Sequence, residues 1–214
     1  GGETAIMPDL YATGDFDMAG FSVGVAERDE LVNGKLRVQP GDVLIGVPSS
    51  GFHSNGYSLV RKVVFEHAGL NVNDHVAELN LTVGDALLKP TRIYSQTVAA
   101  AVAAAGNSNL HGIAHITGGG IADNLVRILP KHTEAVVSRA AWQVPRVFQW
   151  LQRLGNVAEK EMFNVFNMGI GMIICVPPGV ASRVQAACST PENPAMRLGE
   201  IRSQNAEDPT VLLS

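Results

Sequence analysis

The order of the apolar runs constrains the fold of this chain more than any other feature. From about residue 40, short strand-like runs alternate with longer segments of helical periodicity, in the order strand, helix, helix, strand, helix, strand, helix, helix, strand, helix, strand. Such alternation is typical of a layered domain in which helices pack on a sheet. The sequence therefore predicts an α/β (α+β layered) fold with a mixed sheet.

Glycine and proline mark where most of these elements begin and end. Residues 71–84 are predicted to be irregular, and the turn-rich stretch 29–41 is the best domain boundary, with residues 1–30 and 31–214 on its two sides. The predicted strands cover residues 17–28, 42–50, a run from 110 towards the glycines at 118, 134–138, 169–177, 195–201 and 210–214. The predicted helices cover residues 55–69, 91–106, 121–130, 145–155, 158–166 and 180–188.

Charge and cysteine content argue against several classes of protein. The net charge is −4 and no basic stripe is present, which makes a nucleic-acid partner a poor hypothesis. No run of 18 apolar residues occurs, so we expect no membrane partner. Cys175 and Cys188 have no zinc or disulfide spacing, which favours a reducing compartment, and we expect the protein to be cytoplasmic.

The run SSGFHSNGYSLVRK places His53, Ser54 and Asn55 between Gly51 and Gly56, where a predicted helix begins. A helix N-terminus leaves backbone N–H groups without partners and carries partial positive charge, so it attracts anions. His53 can donate to a phosphoryl oxygen or move a proton near neutral pH. Asn55 or Ser54 is the predicted N-cap. The alternative is a capped helix with His53 in a satisfied loop.

A second glycine run, Thr117, Gly118, Gly119 and Gly120, follows a predicted strand and opens a helix. Three glycines allow the close backbone approach that phosphate-binding loops require. The run is neither a Walker A motif nor GxGxxG, and a tight strand–helix turn is the alternative. Two such loops in one domain favour an anionic ligand.

Two further sets of residues are candidates for metal or ligand contacts. Glu3, beside Gly1, Gly2 and Thr4, is a candidate Mg²⁺ ligand, the alternative being an exposed acidic residue. His111 and His115 are four residues apart on a strand, which separates them by about 13 Å and prevents them from sharing an ion. His115 is the better candidate for a position near a ligand.

The glycine turn at residues 167–171 leads into the apolar run 169–177. It either lines the site or forms only a tight corner. The chain lacks an initiator Met and opens on two glycines, so we expect it to begin partway through a larger protein.

Several long motifs stand together in an order and spacing that resemble one enzyme family, phosphoribosylformylglycinamidine cyclo-ligase, also called aminoimidazole ribonucleotide synthetase. The resemblance runs from residue 1 to about residue 176 and is looser through the last strands. The motifs are GGETAIMPDLY, DMAGFSVGVAER, SSGFHSNGYSLVRK, PTRIY, AHITGGGIADNLVRILP, VPRVFQWLQ and EMFNVFNMGIGM.

The resemblance implies an ATP- and Mg²⁺-dependent ligase of purine biosynthesis that closes the ring of a ribonucleotide substrate and works as a homodimer. It implies that residues 1–30 are the tail of an N-terminal ATP-binding and dimerisation domain, and that 31–214 form a C-terminal substrate- and phosphate-binding domain. The implied site residues are His53 and Asn55 for catalysis, Glu3 and Thr4 for nucleotide and metal, and Gly51, Ser54, Gly56, Thr117, Gly118, Gly119 and Gly120 for substrate and phosphate.

This chain departs from the family pattern at two places. Ile6 stands where an acidic residue is expected, which puts a second carboxylate in that loop in doubt. Asn164 and Val165 stand where Arg-Thr is common, which weakens any phosphate contact there. We expect the chain alone to be inactive. The alternatives are another ATP-using enzyme of the same superfamily, such as a selenophosphate synthetase or thiamine-monophosphate kinase, and a catalytically silent binding or dimerisation module.

Overall fold

The computed structural model describes residues 20–214, and the chain separates into two units, the first ending at Leu31 and the second covering Val32–Ser214. In the first unit the strand predicted over residues 17–28 is not formed within its described part, which has no regular structure before a 3₁₀ turn at Arg28–Glu30. A strand needs a neighbour for its backbone N–H and C=O groups. Among the described residues no segment pairs with it, and the side chains of Phe21 and Val25 are 93% and 99% exposed.

The second unit is built on a mixed sheet. Among residues 32–214 the strands are β1 (Val43–Pro48), β2 (His75–Val76), β3 (Leu81–Thr82), β4 (Gly112–His115), β5 (Thr133–Val137), β6 (Ile170–Val176), β7 (Met196–Ser203) and β8 (Thr210–Leu213). Six of them form the sheet in the order β4-β6-β1-β7-β5-β8, with β5 and β8 parallel and the other pairs antiparallel. A separate hairpin joins β2 and β3.

The helices lie before the first strand and in the connections between the strands. They are α1 (Gly34–Arg37), α2 (Tyr57–Arg61), which continues as a π-helical turn over Lys62–His67, α3 (Val83–Leu87), α4 (Ser95–Ala105), α5 (Gly120–Leu125), α6 (Arg146–Gly155), α7 (Glu159–Val165) and α8 (Pro178–Ala187).

Apolar packing covers both faces of the sheet. Along β6, Ile173 and Cys175 join a core that includes residues of α5, whereas Met172 and Ile174 join the core of α4 and α8. Because both faces of β6 are covered, all of its residues are buried, which explains why the strand is a continuous apolar run. A third core, centred on Phe52, is formed largely by α2, α6 and α7.

The alternation of strands and helices predicted from residue 40 is confirmed, and so is the mixed sheet with helices packed on it. The irregular segment predicted for residues 71–84 is wrong, because it contains the β2–β3 hairpin and the start of α3. Strands of two residues leave almost no periodic pattern. The start of α3 is set locally, since the Thr82 hydroxyl accepts from the backbone N–H of Asp85.

A buried polar cluster lies at the end of the sheet where β1 begins. The Asp42 carboxylate contacts His111 Nδ1 at 2.7 Å and accepts from the backbone N–H of Gln39 at 2.9 Å. Cys175 Sγ donates to the same carboxylate oxygen at 3.7 Å, and burial raises the pKa of this thiol well above its ordinary value. His111 therefore has a structural partner of its own.

No helix of the described residues has the length and apolarity needed to cross a membrane.

We predict that Gly120→Ala destabilises the protein by about 3 kcal/mol. Gly120 has φ +62°, and a Cβ there would lie 1.9 Å from the carbonyl oxygen of Phe163 in α7. Chemical denaturation measures the change in the free energy of unfolding. The matched control is Gly179→Ala in α8, where an added Cβ meets nothing within 4 Å and helix propensity favours alanine. Equal stabilities of the two variants would contradict the packing described for Gly120.

Candidate functional site

The first glycine loop enters α2 through Gly56, whose φ is +74°. The predicted N-cap at Asn55 or Ser54 is wrong, because Gly56 occupies that position and no side chain caps the helix. A Cβ on Gly56 would lie 2.3 Å from the Phe166 ring, so only glycine fits there. The Ser54 and Asn55 side chains therefore do not cap α2. The Ser54 hydroxyl lies 3.3 Å from the Thr91 hydroxyl.

A buried amide from the third glycine turn holds this loop. Asn167 Nδ2 donates to the carbonyl oxygen of Gly51 at 2.9 Å. Its Oδ1 accepts from the Ser49 hydroxyl and from the backbone N–H of Gly169, both at 2.8 Å. The turn whose role the sequence left open is therefore a corner that braces the first loop.

The second glycine loop is held in the same way by Asn124 of α5. Its Nδ2 lies 3.3, 3.1 and 2.8 Å from the carbonyl oxygens of Thr117, Gly118 and Gly120, and its two hydrogens are shared among these three acceptors. Its Oδ1 accepts from the Thr117 hydroxyl at 3.1 Å. One side chain thus sets the path of the loop by binding three of its carbonyl groups.

The two loops meet. A Cβ built on Gly118 would lie 3.9 Å from Asn55 Oδ1, so the second loop runs directly beside the polar residues of the first. Both also rest on one segment of chain, since Gly56 packs on the Phe166 ring and Gly120 on the Phe163 carbonyl. Their ligand remains a prediction.

The nucleotide and metal ligands predicted at Glu3 and Thr4 lie outside the described residues. Nothing in the described part of the chain bears on those two assignments.

Three rings form a cluster at the base of the first loop. The ring centroids of His53, Tyr94 and His115 are separated by 5.9 to 6.5 Å. A Cβ on Gly171 would lie 1.8 Å from Tyr94 Oη and 2.9 Å from His53 Cε1, so the rings pack directly on the backbone of β6. Of the two histidines on the predicted strand, His115 is the one that belongs to this cluster, and its position near a ligand stays a prediction.

The His53 ring is 3% exposed and is neutral near physiological pH. Burial, followed by the nearby charges of His115 and Arg92, lowers the pKa of His53 from 6.5 to about 4. Its Nε2 accepts from the backbone N–H of Ser50 at 3.2 Å. Burial also raises the pKa of Tyr94 to about 12, and its hydroxyl donates to the Pro48 carbonyl at 3.0 Å.

A cavity of about 430 Å³ opens beside His53 and Ser54. This volume is within the usual range for small-molecule sites. Lys89 adds a positive charge to its wall. The remaining lining residues are Tyr57, Leu87, Leu88, Pro90 and Thr91.

Sequence reasoning missed the contribution of the α3–α4 connection, which supplies Lys89, Thr91 and Tyr94 to this region. The polar run KPTR between two helices was the available signal. It also missed the bracing amides of Asn124 and Asn167. Asparagine inside a helix, as at Asn124, favours side-chain bonds to nearby backbone, which is a usable signal.

Comparison with known proteins identifies the family of this chain. The family model described as AIR synthase related protein, C-terminal domain, matches residues 39–211. Two curated relatives are phosphoribosylformylglycinamidine cyclo-ligases, from Syntrophotalea carbinolica (44% identical over 100% of this chain) and from Geotalea daltonii (47% identical over 96%).

The chain spans 60% and 58% of the length of these two relatives. The crystal structure of thiamine-monophosphate kinase from Stenotrophomonas maltophilia aligns with 88% of this chain and with 54% of the kinase chain. The TM-score is 0.56 and the sequence identity is 14%, which shows a shared fold. Because the family model covers most of the chain, this protein belongs to the AIR synthase related family and contains its C-terminal domain.

Proposed function

We propose that this chain is the C-terminal, substrate- and phosphate-binding part of a phosphoribosylformylglycinamidine cyclo-ligase. The whole enzyme would convert formylglycinamidine ribonucleotide to aminoimidazole ribonucleotide with ATP. The observation that carries the proposal is the proximity of the two glycine loops, Gly118 beside Asn55, in a chain that is 44–47% identical to curated cyclo-ligases. A site made by both loops suits a ligand that carries phosphate.

The proposed reaction has two steps. ATP phosphorylates the formyl oxygen of the substrate, and a nitrogen of the same molecule then attacks the activated carbon as phosphate leaves. Both steps develop charge on oxygen atoms, so the enzyme must supply hydrogen-bond donors that are already in position. His53 and Asn55 are proposed to act at the reacting group. Gly51, Ser54, Gly56 and the loop Thr117, Gly118, Gly119 and Gly120 are proposed to bind substrate and phosphate.

Rigidity of the two loops supports this role. The Asn167 and Asn124 side chains bind loop carbonyl groups through hydrogen bonds of 2.8–3.3 Å. Carbonyl oxygens that are held by protein donors are prevented from facing a phosphate, which they would repel. Donors that are fixed before the ligand arrives need no reorganisation when charge develops.

ATP and Mg²⁺ are proposed to bind mainly through the part of the protein to which residues 1–30 belong, with Glu3 and Thr4 as the local ligands. Within residues 20–214 no group of three or more histidine, cysteine or acidic side chains could hold a metal ion. Mg²⁺ prefers carboxylate and phosphate oxygens. The loops described here offer amide, hydroxyl and imidazole groups, and the Asp123 carboxylate beside Gly119 belongs to no such group of three among the described residues, so the loops do not fit the metal by themselves. A homodimer in the cytoplasm is proposed for the intact enzyme.

We predict that the 214-residue chain alone does not turn over formylglycinamidine ribonucleotide, because the proposed ATP-binding part is not complete within it. A steady-state assay of aminoimidazole ribonucleotide and phosphate release measures this, with a full-length protein containing the chain as the control. Turnover by the chain near that of the full-length protein would overturn the proposed division of labour. A different product from the full-length protein would favour another enzyme of the superfamily.

We predict that Asn55→Ala in the full-length protein lowers kcat/KM by about 100-fold, since it removes one positioned polar group from the reacting centre. The matched control is Ser58→Ala, an exposed position one turn of chain further along in α2, which should leave kcat/KM unchanged. Thermal unfolding of both variants checks that the fold is kept. Equal kcat/KM values for the two variants would remove Asn55 from the site.

A further inference from the structure

One buried polar atom of the site has no assigned task. Among residues 20–214, Nδ1 of His53 is buried and has no hydrogen-bond partner. Buried polar atoms are nearly always paired, so such an atom at a proposed site requires an explanation. The side chain that carries it lines the cavity beside the first loop, so a ligand bound there is the partner that the proposed site suggests.

The backbone decides which nitrogen of this ring carries the proton. The N–H of Ser50 points at Nε2 over 3.2 Å, and a backbone N–H can only donate. Nε2 must therefore be the acceptor, which needs its lone pair. In a neutral imidazole the other nitrogen then holds the hydrogen, so Nδ1 is an N–H donor.

Protonation of the ring would break this arrangement. An imidazolium carries hydrogen on both nitrogens, so Nε2–H would face the N–H of Ser50, donor against donor. The two side chains that act electrostatically on the ring, Arg92 and His115, are basic and oppose a positive charge on it. Tyr94, the third neighbour, directs its hydroxyl to the Pro48 carbonyl and offers the ring no negative charge.

We propose that His53 is held as the neutral Nδ1–H tautomer and acts as a hydrogen-bond donor to an oxygen of the bound ribonucleotide, namely the formyl oxygen and the phosphoryl ester oxygen that it becomes. This inference rests on the proposed function for the identity of the ligand. Because both nitrogens are already committed, the ring has no free lone pair. The proton lost by the attacking nitrogen must go to a different group.

The tautomer can be read directly in the ligand-free chain. We would label the histidines with ¹⁵N, record long-range ¹H–¹⁵N correlations, and identify His53 among the six histidines by its loss in His53→Asn. We expect hydrogen on Nδ1 from about pH 8 to about pH 5, with protonation only near pH 4, well below the ordinary histidine pKa of about 6.5. Hydrogen on Nε2, or a titration midpoint near 6.5, would overturn the inference whatever the enzyme's reaction is.

A titration with inorganic phosphate tests the donor role of His53 and the proposed phosphate site separately. If the amides of Gly118 and Gly119 respond to phosphate and the Nδ1–H signal shifts with them, the donor role is supported. If those amides respond while the Nδ1–H signal does not move, the donor role is wrong. If neither the amides nor the Nδ1–H signal responds, the proposed phosphate site is wrong. The tautomer is then tested by the ligand-free spectrum alone.

Two amide substitutions test the donor in the full-length protein. The side-chain NH₂ of asparagine lies near the position of Nδ1, whereas that of glutamine lies near Nε2. Asparagine also tolerates the positive φ of +58° at this position. We expect His53→Asn to keep kcat within about tenfold and His53→Gln to lose about 100-fold or more.

A pH–rate profile adds a measurement whose shape would not depend on His53 if its role were purely structural. We expect the wild-type protein and His53→Asn to show the same dependence near pH 6.5, since the ring does not titrate there. An ionisation near 6.5 that disappears in His53→Asn would identify His53 as an acid or base instead. Thermal unfolding of each variant separates loss of fold from loss of the donor.

Discussion

The site depends on close packing against the C-terminal end of α7 and the segment that joins α7 to β6. Two loops from distant parts of the chain reach this segment only because they present no side chain to it: Gly56 against the Phe166 ring and Gly120 against the Phe163 carbonyl. Asn167, from the same segment, then binds the carbonyl of Gly51. A single buried corner therefore sets the positions of both glycine loops, and Gly118 lies beside Asn55 as a result.

This packing also determines the electrostatics of the site. The His53 and Tyr94 rings lie directly on the backbone at Gly171, where they are shielded from water. Burial opposes charge on both rings, which lowers the pKa of His53 and raises that of Tyr94. His53 and Tyr94 are thus neutral hydrogen-bonding groups near physiological pH, with Lys89 as a cation on the cavity wall and Arg92 as a cation over the Tyr94 ring. Such groups suit the binding and orientation of a phosphorylated ligand.

Much of the second unit could be predicted because its elements follow strong patterns. The apolar runs that became β1 and β6, and the helix that ends at Gly106, appear close to their predicted positions. The β2–β3 hairpin could not be predicted, since strands of two residues are held by their pairing and by neighbouring helices. The predicted strand over residues 17–28 failed in its described part for the opposite reason, because its alternating pattern has no partner strand among the described residues.

The sequence by itself determined the alternation of strands and helices, the family, and the glycine loops, because each of these depends on residue types at local spacing. Only the tertiary structure decided what the polar residues of those loops do. The sequence predicted that Asn55 or Ser54 caps a helix, whereas packing on Phe166 requires glycine at the cap and leaves those side chains outside it. Likewise, His53 is neutral because of where its ring is buried and because the N–H of Ser50 faces Nε2. Burial and the direction of a hydrogen bond arise from contacts between distant segments, and local sequence does not encode them.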